Sequence, residues 1–174
     1  MKTILWGALA ALAMAGGARA EVLERFDTGF RLAHKVEVPV SPARAYAALG
    51  EIGSWWDDQH TYSGKAANMT LTLAPGGCFC EALAGGGVRH GGVLLAIPGS
   101  TLRLDAALGP LQGEGVSAVL TFEIKAKGAG SEIVATYNVG GYTPAGVKQW
   151  AAPVDQVLGV QVARLARYLE TAER

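Results

Sequence analysis

One amphipathic segment, at the end of a chain that otherwise reads as strand, limits the choice of fold. Across residues 147–171, Trp150, Val154, Val157, Leu158, Val162, Leu165, Tyr168 and Leu169 recur at spacings of three and four. A helix gathers them into one apolar stripe, with Arg164, Arg167 and Glu170 off it. A lone helix of this kind must bury its stripe against a sheet. Laid across a curved antiparallel sheet, it grips an internal space instead of forming a second flat layer. Pro153 puts either the regular helix start near Ala151-Ala152 or a bend at that point.

The sheet is expected from seven segments. Residues 30–40 alternate Val36, Val38 and Val40 with Lys35, Glu37 and Pro39. Ser41-Pro42 then starts a helix, because serine accepts from an unpaired amide and proline needs no partner there. Gly50 and Gly53 break it, predicting two short helices before Trp55-Trp56. Residues 69–73, 78–83, 88–97 and 102–107 follow as strands, separated by Pro75-Gly76-Gly77, Gly85-Gly86-Gly87 and Pro98-Gly99. Residues 116–125 alternate most cleanly, and Gly128-Ala129-Gly130 turns them into residues 133–139.

Residues 1–20 are read as an export signal. Lys2 gives a positive start, residues 4–15 are apolar, and Ala18-Arg19-Ala20 fits a small-x-small cleavage site before Glu21. The apolar stretch is short against the roughly 20 residues that span a bilayer. The expected mature chain, residues 21–174, is one domain, periplasmic or secreted, with no stable membrane anchor. Without Lys2 and Arg19 it carries 13 basic and 15 acidic side chains, net −2. No basic cluster offers a footprint for nucleic acid.

The order of strand, two short helices, strand meander and long final helix resembles the α+β helix-grip fold. Residues 38–46 leading to Trp55-Trp56, the run Pro75-Gly76-Gly77-Cys78-Phe79-Cys80-Glu81 and the final helix carry a resemblance to the SRPBCC superfamily (START, Bet v 1-like). The branch is the one named for activators of Hsp90 ATPase. His60-Thr61-Tyr62-Ser63-Gly64 and Leu108-Gly109-Pro110-Leu111-Gln112 are similar to an exported subgroup. The resemblance covers nearly the whole mature chain. It implies a curved sheet of about seven strands wrapped around the helix, and it does not choose among lipid binders, cyclases, dehydratases and chaperone regulators.

Ligand-binding candidates are Trp55, Trp56, His60, Tyr62, Cys80, His90, Phe122, Tyr137 and Trp150. Trp55 or Trp56 would supply an aromatic wall and His60 and Tyr62 polar handles; otherwise a tryptophan packs in the core and His60 is an exposed loop residue. Trp150 is a lid or the first helix anchor. Cys78 and Cys80 allow free thiols, a disulfide that requires a bulge, or metal ligation joined by His90 and His60. Same-face strand neighbours sit about 6.6 Å apart, near the limit for a bridge. Whether His90 opposes Glu81 depends on one residue of hairpin register. If it does, the pair is a surface ion pair or a general base.

No Gly-x-Ser-x-Gly elbow and no phosphate loop occur, so no catalytic residue, cofactor or metal is assigned. The leading expectation is an exported binder of a hydrophobic small molecule or lipid in an internal cavity. The alternatives are a cyclase or dehydratase using cavity His and Glu side chains, and a protein-interaction module.

Overall fold

The computed structural model describes residues 19–171, with side chains from Glu24 onward. The expected export signal lies outside the described residues, apart from Arg19 and Ala20. Among the described residues, eight strands form one antiparallel sheet in the order β1-β2-β8-β7-β6-β5-β4-β3.

The first two strands are β1 (Arg19–Phe26) and β2 (Gly29–Val38). β1 is an eighth strand where seven were expected: its residues carry no period of two, and it forms by pairing along β2 at the sheet edge. In β2, Phe30, Leu32, His34, Val36 and Val38 are buried, while Arg31, Lys35 and Glu37 face solvent. α1 (Pro42–Gly50) begins as anticipated, with the Ser41 hydroxyl accepting from the Arg44 amide at 3.3 Å and proline in its first turn. Three single 3-10 turns (Ile52–Ser54, Asp58–His60 and Ala66–Asn68) replace the second short helix.

β3 (Met69–Leu71), β4 (Cys78–Leu83), β5 (Gly86–Ile97) and β6 (Thr101–Asp105) form the meander. β7 (Gly115–Lys127) and β8 (Gly130–Tyr142) form the long central hairpin. Its turn uses Gly128 at φ 58°, a backbone region that side-chain-bearing residues avoid. A 3-10 turn at Val147–Trp150 then leads into α2 (Ala151–Thr171). Pro153 falls within the first turn of α2, where its missing amide would have had no helical partner, so the helix starts at Ala151.

α2 buries Leu158, Val162, Leu165 and Leu169 in the one hydrophobic core that also holds Leu32, Leu120, Ile133 and Ala135 of the sheet. Its far end is tied to α1, where the Tyr168 hydroxyl donates to Glu51 at 2.6 Å. Arg164 donates to the carbonyls of Trp55 and Trp56 at 2.8 and 3.1 Å, fastening the loop after α1 to the helix.

The β4–β5 pair is irregular at one point. Cys80 pairs with Arg89 and Phe79 with Gly91, so His90 is an extra residue in β5. This bulge lies in the partner strand and not in the cysteine-bearing one. Opposite it, Cys78 and Cys80 are joined as a disulfide across Phe79, with Cα atoms 5.4 Å apart. Of the three cysteine readings, the oxidised one is observed. Gly91 is needed next to the bulge, because a Cβ there would lie 2.6 Å from both the Ala106 side chain and the Asp105 carbonyl.

Candidate functional site

One face of the first half of α2, the loop after α1 and the ends of the sheet strands enclose a cavity of about 460 Å³. Trp56, Tyr137, Leu158, Gln161 and His90 form its buried floor. Leu108, Trp150, Val154 and Val157 make half-buried walls, and Gln59, Tyr62, Pro110 and Pro153 form an exposed rim. Thr61, His60 and Gly109 complete the lining, which contains no Lys, Arg, Asp or Glu. Tyr62, 53% exposed, reaches across the mouth to donate to the Gly109 carbonyl at 3.3 Å.

Two imidazoles enter this wall, and their neighbours fix which nitrogen carries hydrogen. Gln161, only 1% exposed, accepts from the Asp57 backbone amide through Oε1 at 2.9 Å. An amide N–H can only donate, so the Gln161 NH2 group must face the other way, toward His60 Nδ1 at 2.8 Å. Nδ1 of His60 therefore presents a lone pair, and Nε2 carries the hydrogen. The Trp56 indole helps hold this segment by donating to the His60 carbonyl at 3.1 Å.

His90 is arranged the opposite way. Its Nε2 lies 2.9 Å from Glu81 Oε2, with His90 5% and Glu81 2% exposed. Glu81 also accepts from the backbone amides of Tyr62 at 3.1 Å and Ser63 at 2.5 Å. Burial works to raise the Glu81 pKa, but hydrogen bonds from Ser63, the Tyr62 amide and His90 outweigh it. The carboxyl is held below its usual range and stays ionised, so it can only accept. Nε2 of His90 thus carries the hydrogen, and Nδ1, which makes no side-chain hydrogen bond among the described residues, is left as an acceptor. The Tyr62 and Phe79 rings flank this imidazole, with centroids 5.7 and 4.9 Å away. The pair is buried at a cavity wall; it is not the exposed cross-strand pair that was one expectation.

Six of the nine expected ligand contacts meet at this cavity: Trp56, His60, Tyr62, His90, Tyr137 and Trp150. The other three lie elsewhere. Trp55 is a core residue whose indole donates to the Ala48 carbonyl at 2.8 Å. Phe122 faces the sheet core, and Cys80 is spent in the disulfide. Tyr137 is a wall and not an acid: its hydroxyl donates to the Ala106 carbonyl at 2.8 Å and accepts from the Leu108 amide at 3.0 Å. Burial raises its pKa and keeps it neutral. Among the described residues, no group of three His, Cys, Asp or Glu side chains is placed to hold a metal ion.

Gln161 and His34 were missed. The signal for each was a polar residue on an apolar face, Gln161 beside Leu158, Val162 and Leu165, and His34 between Leu32 and Val36. His34 is 1% exposed, with Nε2 2.8 Å from Asp155 Oδ1 of α2, close but not aligned as a hydrogen bond.

No protein-family profile and no curated protein sequence matches the chain. Solved structures do. The Aha1 dimer from Colwellia psychrerythraea is 19% identical with a TM-score of 0.57, covering 80% of this chain and 96% of its own. An uncharacterised protein from Rhizobium leguminosarum is 18% identical with a TM-score of 0.61, covering 88% and 98%. CalU16 from Micromonospora echinospora is 14% identical with a TM-score of 0.57, covering 89% and 84%. At these identities the likeness is one of architecture. An eight-stranded curved antiparallel sheet closed by one long terminal helix is the helix-grip fold, and the likeness to these neighbours is at that level.

Proposed function

We propose that this protein binds an uncharged, largely apolar small molecule in the space between α2 and the sheet, and does so after export. The observation that carries this reading is the lining itself. A cavity of about 460 Å³ falls within the range of small-molecule sites, and such sites combine apolar walls with few polar anchors. Here Trp56, Leu108, Trp150, Val154, Val157 and Leu158 supply the walls, and His60 and His90 the anchors. A buried carboxylate or ammonium on the ligand would find no opposite charge among the lining side chains, and an unpaired buried charge is costly.

Native mass spectrometry of the protein purified from its own host tests this directly, with titration by N-phenyl-1-naphthylamine as a second arm. A bound neutral mass, or saturable probe fluorescence displaced by other apolar neutral molecules, is the expected result. Empty protein that also leaves the probe dark overturns the reading.

A further inference from the structure

The two cavity imidazoles have opposite hydrogen-bonding characters, and each is imposed by a separate buried neighbour. Gln161 turns a lone pair of His60 inward to itself and leaves Nε2–H free. Glu81 takes the N–H of His90 and leaves the Nδ1 lone pair free. The free nitrogens belong to residues lining one cavity, so a bound molecule meets one fixed donor and one fixed base. A site built only to hold an apolar guest has no need of a base backed by an ionised, desolvated carboxylate. Glu81 is set to stabilise the imidazolium that forms when His90 takes up a proton, with Tyr62 the other titratable group against that ring.

We infer that the cavity is an acid–base site for neutral carbonyl compounds. His90 Nδ1 removes a proton from the carbon next to the carbonyl, and His60 Nε2–H donates to the carbonyl oxygen. The C–H electron pair becomes the new carbon–carbon π bond while the carbonyl π pair moves onto oxygen. That oxygen is stabilised by His60, and the proton rests on His90 beside the Glu81 carboxylate. The proton on His90 then swaps with solvent water, and delivery of a solvent-derived proton to the same carbon completes an exchange cycle with no oxidant or metal. Glu81 and Gln161 are positioning residues in this scheme. The inference rests on the cavity being a binding site for apolar neutral molecules, as proposed above.

The test uses β-tetralone, an apolar neutral ketone with acidic α-hydrogens, in deuterium oxide. Proton NMR follows loss of the α-hydrogen signal, and tryptophan fluorescence follows binding separately. The wild-type protein should exchange these positions faster than an equal concentration of free imidazole, and the hydrocarbon tetralin should suppress the reaction competitively. His90→Gln should lower the exchange rate on the order of 100-fold. Retained tetralin binding by that variant shows that the cavity is still formed. Glu81→Gln should lower the maximal exchange rate more than it weakens tetralin binding, because His90 loses the carboxylate that fixes its Nε2–H. Loss of packing alone would weaken both together. Binding of β-tetralone with exchange no faster than free imidazole overturns the catalytic inference and leaves the binding reading intact. Failure of both β-tetralone and tetralin to bind removes the two together.

Discussion

Two imidazole–carboxylate pairs with buried rings, His34–Asp155 and His90–Glu81, make the useful comparison in this molecule. The first is shut between α2 and β2. Its ring lies beneath Gly159, where a Cβ would come within 2.9 Å of Cε1, and Asp155 sits one helical turn earlier. The second opens on the cavity, and its carboxylate is fixed by two backbone amides of the rim loop as well as by the imidazole. The same two functional groups therefore serve different ends. A pair with no free nitrogen facing a hollow can only hold elements together, whereas a pair with its acid anchored by backbone and its base left bare can act on a guest.

Removing the carboxylate of the open pair should have the largest effect. Glu81→Ala leaves two amides and an imidazole without their acceptor, and urea denaturation should show a loss of about 3–5 kcal/mol. His34→Ala in the closed pair removes a packed ring from under the helix and should cost about 2–4 kcal/mol. It should leave the affinity for an apolar probe within twofold of wild type; a drop as large as that from altering the cavity wall would erase the distinction drawn here. Gly159→Ala forces its methyl against His34 and should destabilise by about 1–3 kcal/mol, read in the same way.

A smaller effect is expected in acid. Because the Glu81 pKa is lowered in the folded state, its stabilising contribution is fully present above the unfolded carboxyl value of about 4.3. That contribution should fade as pH falls through the lower folded value. Stability measured against pH should therefore be flatter on the acid side for Glu81→Gln than for wild type.

Much of this architecture was legible because local patterns encode it. The α2 stripe, the Ser41-Pro42 helix start and the glycine turns each follow from chemistry within a few residues. The site was harder to see, because it depends on strand register and on contacts across the fold. Sequence alone left His90 either on one face with Cys78 and Cys80 or opposite Glu81; it is instead the inserted residue of β5, and its side chain reaches Glu81 from the bulge. Gln161 looks like one polar interruption of an apolar stripe until Asp57 and His60, about a hundred positions away, are placed on either side of it. β1 escaped for a related reason: an edge strand is defined by its partner, and nothing periodic within residues 19–26 marks it.

The covalent tie between Cys78 and Cys80 encloses a ring of three residues. Closing so short a loop removes little freedom from the unfolded chain, about 1.6 kcal/mol on the usual chain-entropy scaling. Reduction should thus leave the domain folded and relax mainly the strand segment facing the bulge. Since Phe79, held between the two cysteines, stacks near both Trp56 and His90, thiol chemistry at this spot reaches the guest chamber before it reaches the fold.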